Sequence, residues 1–200
     1  MKALLMSGGL DSSALAWWLR PDLCVTVNYG QQAAKGEMAA STAICNAIGL
    51  AHQKIEVDLS SLGSGTMADK APAAGGSAAE FWPYRNQMLV TLAAMLLMPQ
   101  GVKEIMVGSV STDRHTDGKA IFYRALDRTV SLQEGSLRVT APARKYSTPK
   151  LLKMSGFPYD LIGLTFSCHV YEYACGQCSG CIKHRQCVED AYGASPGGAV

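Results

Sequence analysis

Two stretches of the chain concentrate the residues able to do chemistry. The first reads Ser7-Gly8-Gly9-Leu10-Asp11-Ser12-Ser13 and follows directly on a short apolar run. Glycines let backbone N–H groups converge on a ligand, three hydroxyls add donors, and a helix beginning here presents its positive end. That combination suits an anion, above all a phosphate, at the end of a strand. It is neither a Walker A loop, since Gly-Lys-Ser/Thr is missing, nor the Rossmann Gly-x-Gly-x-x-Gly. A plain turn whose Asp11 and Ser12 cap the helix is the alternative.

The second stretch runs TFSCHVYEYACGQCSGCIKHR from residue 165 to 185 and sets Cys168, Cys175, Cys178 and Cys181 in the pattern C-x6-C-x2-C-x2-C. Cysteines three positions apart can bind one ion through neighbouring sulfurs, and Gly176 and Gly180 relax the backbone between them. Four thiolates make a closed tetrahedral Zn2+ site, structural rather than catalytic. An iron–sulfur cluster fits the same spacing, and buried free thiols are the weaker alternative. His169, His184 and Cys187 are spare ligand candidates, whereas Cys24 and Cys45 read as core residues.

The elements that would position these stretches follow from periodicity. Ala3–Met6, Leu23–Tyr29, His52–Leu59 and Glu104–Gly108 read as strands. Helices are expected over Ser13–Leu19, Glu37–Ile48, Gln87–Met98 and Phe122–Leu132. Strands alternating with helices imply a doubly wound parallel sheet covered on both faces. Residues 60 to 80, small and Gly-rich, read as a mobile loop over a site, with a passive linker as the alternative.

Composition bounds the rest. Two hundred residues, 48% hydrophobic and 17% charged, suit one α/β domain with a small appendage. A net charge of +2 advertises neither a nucleic-acid nor a membrane surface, so no membrane and no direct nucleic-acid binding is expected. Lys2 is followed by too short an apolar run for a signal peptide, and the block Leu89–Met98 is too short to span a bilayer. A cytoplasmic location is expected. Four of the seven cysteines crowd into one stretch, which favours metal over disulfides.

Ser7 to Ser12, placed straight after the first strand, resembles the SGGxDS loop of the PP-loop ATP pyrophosphatases. Members of that superfamily split ATP into AMP and pyrophosphate to activate a substrate as its adenylate. Loop and cysteine tail together resemble the 7-cyano-7-deazaguanine synthases (QueC-like proteins), and the similarity runs through nearly the whole chain. Tyr29-Gly30-Gln31 with the downstream Glu37 is similar to the family's Tyr-Gly-Gln segment. Pro83-Tyr84-Arg85-Asn86 is similar to its Pro-x-Arg-Asn turn, and Arg185 lies just past the cysteines as in its zinc segment.

The resemblance implies an adenine nucleotide alpha-hydrolase-like, HUP-type sheet over residues 1–165. A four-cysteine zinc segment over 166–192 and a flexible tail over 193–200 would follow. It implies ATP, Mg2+ and Zn2+ as cofactors. Ser7, Gly8, Gly9, Leu10, Asp11, Ser12, Tyr29 and Gln31 would bind the nucleotide, with Asp11 helping to hold Mg2+. Ser7, Asp11 and Arg85 would serve catalysis, and Arg85, Asn86 and Asp113 the deazapurine substrate. For Arg85 the alternative is surface ion pairing, for Asn86 ordering the turn or capping a helix, and for Asp113 a helix N-cap. Gln31 and Glu37 would equally suit polar places around a helix start. The implied reaction converts 7-carboxy-7-deazaguanine to the nitrile with ammonia and ATP: adenylation, displacement of AMP to give the amide, then a second activation that drives dehydration. A homodimer is implied.

The chain departs from the family where the substrate should sit. Thr112 and Asp113 are kept, but the family's Asp-Cys-Arg after them is absent from GSVSTDRHTDGKAIFYRAL. The later Pro with a Lys six residues on reads APARKYSTPKLL, with Thr148 in the Lys position and Lys145 and Lys150 as candidate substitutes. The first cysteine gap is shorter by two residues. Three other readings therefore stay open: a defence-associated relative that passes the activated carboxylate to an amine on a protein, a tRNA-thiolation enzyme, and a zinc-stabilised nucleotide sensor without turnover.

Overall fold

The computed structural model of the chain describes residues 1–76 and 78–193. Apart from Gly193, the expected tail lies outside them. Five strands form one parallel sheet: β1 (Lys2–Leu5), β2 (Leu23–Asn28), β3 (Ala51–Glu56), β4 (Glu104–Met106) and β5 (Arg138–Thr140), in the order β3-β2-β1-β4-β5. Six α-helices accompany it among the described residues: α1 (Leu10–Leu19), α2 (Ala34–Ile48), α3 (Arg85–Leu97), α4 (Ala120–Ser131), α5 (Thr148–Ser155) and α6 (Ser179–Tyr192). Every strand pair is parallel, with Leu4 opposite Cys24 on one side and Met106 on the other.

Alternation along β1 divides the core. Leu4 and Met6 pack with α1, α2, α5 and α6, whereas Ala3 packs with Val90, Ala93 and Leu97 of α3 and Tyr123, Leu126 and Val130 of α4. Burial of both faces explains why the strands read as apolar runs rather than alternating ones. A smaller cluster of Val27, Tyr29, Met67 and Trp82 closes the end of the sheet beyond β2. Among the described residues no helix is long and apolar enough to cross a membrane.

Several boundaries differ from those the sequence suggests. Helices α1 and α3 begin at Leu10 and Arg85, earlier than expected, because the first turn of a helix needs no apolar periodicity of its own. Strand β5 and helices α5 and α6 were not expected. Residues 64–67, within the stretch expected as a mobile loop, are tied to residues 79–81. Thr66 N–H donates to the Ala79 carbonyl at 2.9 Å, Ser64 Oγ to the Phe81 carbonyl at 2.7 Å, and Met67 is buried.

Candidate active site and metal centre

The sheet order places β1 beside β4 with their outgoing connections on opposite faces, α1 on one and α4 on the other. The crevice at such a reversal is where ligands of open α/β sheets bind. The Ser7–Ser13 stretch lines it from the β1 side. Gly8 has φ +74°, and a Cβ there would stand 2.7 Å from Ala40 Cβ and 2.8 Å from Ser41 N. Only glycine lets α2 sit this close to the loop. The hydroxyls of Ser7 and Ser12 lie 3.2 Å apart, Gly9 N–H points to Ser7 Oγ at 3.3 Å, and Ser12 Oγ donates to the Gly9 carbonyl at 3.2 Å. Gly9 itself occupies the cap position of α1, and no side chain caps the helix. The capping alternative for Asp11 and Ser12 is thereby removed.

Asp11 leaves one carboxylate oxygen without a hydrogen-bond partner. Its Oδ1 is enclosed and makes no hydrogen bond, although the residue as a whole is partly exposed. Burial pushes its carboxyl up to about 6, with Lys183 and Thr148 opposing the shift and Asp113 adding to it. Thr148 Oγ1, in the first turn of α5, and Ser13 Oγ are likewise buried without hydrogen-bond partners. Three buried polar atoms without a hydrogen bond beside the Ser7–Ser13 loop, with the Thr148 hydroxyl close enough to Asp11 to lower its carboxyl, fit a missing ligand. A hard divalent cation such as Mg2+, held by the Asp11 carboxylate and by phosphate oxygens, fits this donor set.

On the β4 side the connection is self-contained. Asp113 Oδ2 accepts from the Val110 N–H at 2.9 Å and lies 2.7 Å from Ser109 Oγ, which is also 2.8 Å from the Gly118 carbonyl. Its other oxygen faces Lys183 Nζ at 4.0 Å. Beyond it, Arg85 lines a small pocket with Glu80, Phe81, Trp82, His115 and Asp117. Phe81 and His115 stack there, with ring centroids 5.9 Å apart. Burial works against the Arg85 charge, but Tyr29, Asp117, Glu37 and Tyr123 more than offset it. Arg85 is half-buried, with Nη1 donating to Met67 Sδ at 2.7 Å, and it forms no ion pair within 4.0 Å among the described residues. Asn86 Nδ2 donates to the Asp117 carbonyl at 3.3 Å and orders this wall.

Tyr29 and Gln31, expected at the nucleotide, are buried and internally bonded. Gln31 Oε1 accepts the Tyr29 N–H at 2.9 Å and its Nε2 donates to Glu37 Oε2 at 2.8 Å, while Tyr29 packs edge-to-face on Trp82. Burial lifts the Glu37 carboxyl to about 7, opposed by Gln31 and Arg85. Neither proposed stand-in lysine joins the loop: Lys150 Nζ sits over the Tyr146 ring and Lys145 is exposed. The cation acting on Asp11 is Lys183, on α6, which sequence spacing had no means of pairing with a residue 172 positions earlier.

The four cysteines do come together. Their sulfurs all lie within 4.8 Å of one another, with Cys175–Cys181 and Cys168–Cys178 each at 3.9 Å. A tetrahedral ion with Zn–S bonds of about 2.3 Å requires sulfurs roughly 3.8 Å apart, so the set fits zinc. Backbone N–H groups of Gln177 and Cys178 hold the Cys175 thiol at about 6, ready as a thiolate. Cys178 caps α6, its sulfur accepting the Cys181 N–H at 3.4 Å. His169 and His184 are not in the set and instead contact Ser179 and Ser167. Cys24, Cys45 and Cys187 are core residues.

Residues 2–192 match the family model of the queuosine biosynthesis protein QueC. The chain belongs to the QueC family. A 7-cyano-7-deazaguanine synthase of Anaeromyxobacter sp. (strain Fw109-5) is 33% identical, over 92% of this chain and 89% of that protein. One from Anaeromyxobacter dehalogenans (strain 2CP-C) is 30% identical over 92% and 88%. Two solved structures share the fold. The U34-tRNA thiolase NcsA of Methanococcus maripaludis, which carries a [4Fe-4S] cluster, superposes with TM-score 0.55 at 14% identity over 92% of this chain and 63% of that one. A predicted tRNA methyltransferase subunit of Methanocaldococcus jannaschii gives 0.52 at 15% identity over 78% and 73%. For a QueC-family chain, the two stretches that carry the chemistry sit on one fold: the Phe166 N–H, two residues before the first cysteine, donates to the Gly8 carbonyl at 2.8 Å.

Proposed function

We propose that this chain uses ATP to activate the carboxylate of 7-carboxy-7-deazaguanine and couples it to ammonia, ending in 7-cyano-7-deazaguanine. The observation that carries the reading is the unpartnered, enclosed Asp11 oxygen beside a loop of converging donors at the crevice between β1 and β4. The family match supports the choice of substrate.

In this reaction a substrate carboxylate oxygen attacks the α-phosphorus of ATP, and the bond to the β-phosphate oxygen breaks. The leaving pyrophosphate takes the electron pair. The N–H of Gly9 and the hydroxyls of Ser7 and Ser12, which bond to one another and to the Gly9 carbonyl in the free loop, would turn onto the pyrophosphate and receive that charge. Asp11 would hold Mg2+, which when bound supplies charge neutralisation on the phosphates. Ammonia then attacks the acyl carbon, AMP departs and a proton is lost, giving the amide. A second activation, now on the amide oxygen, releases pyrophosphate and one N–H proton to give the adenylated imidate, from which AMP and the remaining N–H proton leave as the nitrile forms. Arg85, with Asn86 bracing Asp117, offers the positive charge for an anionic group in the neighbouring pocket. Cys168, Cys175, Cys178 and Cys181 would hold Zn2+ and fix α6.

Protein, ATP, Mg2+, the deazaguanine carboxylate and ammonium should give AMP, pyrophosphate and a product with the mass of the nitrile. No pyrophosphate above the substrate-free control overturns the reading. Deazaguanine mass appearing on a protein instead identifies an amine acceptor, and sulfur entering RNA identifies a thiolation enzyme. The active form would be a homodimer, a reading supported by Met95 of α3 and Ile121 of α4 standing 70% and 68% exposed; a monomer mass in light scattering overturns it.

A further inference from the structure

Lys183 lies on α6, the helix that Cys178 caps and Cys181 anchors, yet its side chain reaches the crevice rather than the cysteine cluster. It stands 4.0 Å from Asp113 Oδ1, at the end of β4, and is near enough to Asp11, after β1, for its charge to oppose the effect of burial on that carboxyl. Its side chain is 48% exposed, which leaves it free to move. The approach of α6 that brings it here is deliberate in sequence: Gly180 leaves no room for a Cβ against the Ser167 carbonyl and the His169 ring. Ser167, in turn, borders Gly9 of the loop.

The groups facing Lys183 are Asp11, Asp113, His169 and the Cys187 thiol. The pair with Asp113, at 4.0 Å, is too long for a committed salt bridge, in which a lysine sits nearer about 2.8 Å from the carboxylate, and Lys183 makes no ion pair with Asp11 within 4.0 Å. Thr148 Oγ1, buried beside Asp11, has no hydrogen-bond partner and brings no charge. The loop therefore has amides and hydroxyls but, on its own elements, no cation for a polyphosphate that carries several negative charges.

We propose that Lys183 is the cation of this loop: it rests near Asp113 and Asp11 and moves onto the pyrophosphate when ATP binds and as pyrophosphate leaves. A compact ammonium on a flexible stem suits a point contact to phosphate. The cysteine segment then has a second task besides stability, because the metal-anchored start of α6 aims a binding residue at the loop. This rests on the ATP-dependent reading above, and the experiment separates the two.

Binding of inorganic pyrophosphate with Mg2+ is measured by calorimetry for the wild type, Lys183→Met, Lys183→Arg and Asp11→Asn, alongside zinc content and melting temperature. Loss of one charge-assisted contact should weaken pyrophosphate binding by Lys183→Met roughly ten- to a hundredfold. Zinc content and melting should stay unchanged, and Lys183→Arg should recover part of the affinity. In ATP turnover the same variant should slow pyrophosphate formation and raise the KM for ATP. Wild-type affinity in Lys183→Met, with affinity lost in Asp11→Asn, overturns the role of the lysine alone. A loss that tracks lowered zinc content or melting, with no recovery in Lys183→Arg, also overturns it by making Lys183 structural. A wild type that binds no pyrophosphate overturns the ATP-dependent reading and this one together.

Discussion

The connections leaving β1 and β4 each carry an aspartate into the same crevice, and the two are used in opposite ways. Asp113 spends one oxygen on its own turn, taking the Val110 N–H and the neighbouring Ser109 hydroxyl. Asp11 has an enclosed oxygen with nothing to accept, and burial lifts its carboxyl to about 6. A satisfied carboxylate holds a loop; an unsatisfied buried one costs stability and persists where a ligand or cation completes it. The β4 side is therefore finished without ligand, and the β1 side is not. Fold alone does not make this distinction, since both loops stand at equivalent places on the sheet.

The largest expected effect breaks the unfinished side. Asp11→Asn keeps the volume and removes the charge, and pyrophosphate formation should fall by roughly a hundredfold or more. The same variant should sharpen the contrast in stability without ligand. The folded Asp11 carboxyl titrates at about 6 against 3.8 unfolded, so wild-type stability is lost as pH rises through that interval and is level above it. Asp11→Asn escapes that loss. Melting curves of the two proteins should converge near pH 4 and separate towards pH 7, the variant being the more stable by on the order of 1–3 kcal/mol. Saturating Mg2+ and pyrophosphate should reverse the order, because only the wild type gains from the cation. Parallel curves at all pH values would place Asp11 in a satisfied site.

Next in size is the cysteine cluster. Purified protein should hold about one zinc per chain, and Cys178→Ser should lower the melting temperature by about 10 °C or more, because the ligand also caps α6. Iron with sulfide in place of zinc would change the identity of the centre while leaving its ligands in place. A smaller loss is expected from Gly8→Ala, where the positive φ and the contact with Ala40 and Ser41 should cost about 2–4 kcal/mol. Chemical denaturation measures it, and a neutral result would mean that α2 yields to the loop.

How much of this was legible in the sequence depends on the distance over which residues cooperate. The loop and the cysteines are local patterns, so Ser7 to Ser12 and Cys168, Cys175, Cys178 and Cys181 could be named from spacing alone. Strand β5 is three residues long, and α5 begins at Thr148-Pro149, where a proline in the first turn is hard to tell from a break. Helix α6 does not read as a helix because Cys178 caps it and Cys181 takes a place in its first turn where an apolar stripe would begin. The resemblance names Tyr29 and Gln31 but not their burial at the end of β2, nor the hydrogen bond from the Tyr29 N–H to Gln31 Oε1, which arise from the fold. Lys183 was illegible, since nothing in a helical period links it to a loop at the other end of the chain.

The smallest expected effect tests the finished side. Asp113→Asn keeps one oxygen able to accept from Val110 and Ser109 but loses the charge that faces Lys183. If Asp113 chiefly holds its turn and parks the lysine, the cost is that of one weakened local hydrogen-bond set, about 1 kcal/mol. The melting temperature should drop by a few degrees, and kcat/KM for the deazaguanine carboxylate should change less than about tenfold. Direct recognition of the N–H and amino donors of a guanine-like edge predicts the reverse: a site built to pair a substrate's polar groups loses far more efficiency when the pairing is spoiled. Melting curves and steady-state kinetics on the same preparation decide between the two. A fall of a hundredfold or more in kcat/KM at an unchanged melting temperature would move Asp113 from the turn to the substrate, and the contrast between the two aspartates would then be one of ligand identity, cation for Asp11 and deazapurine for Asp113.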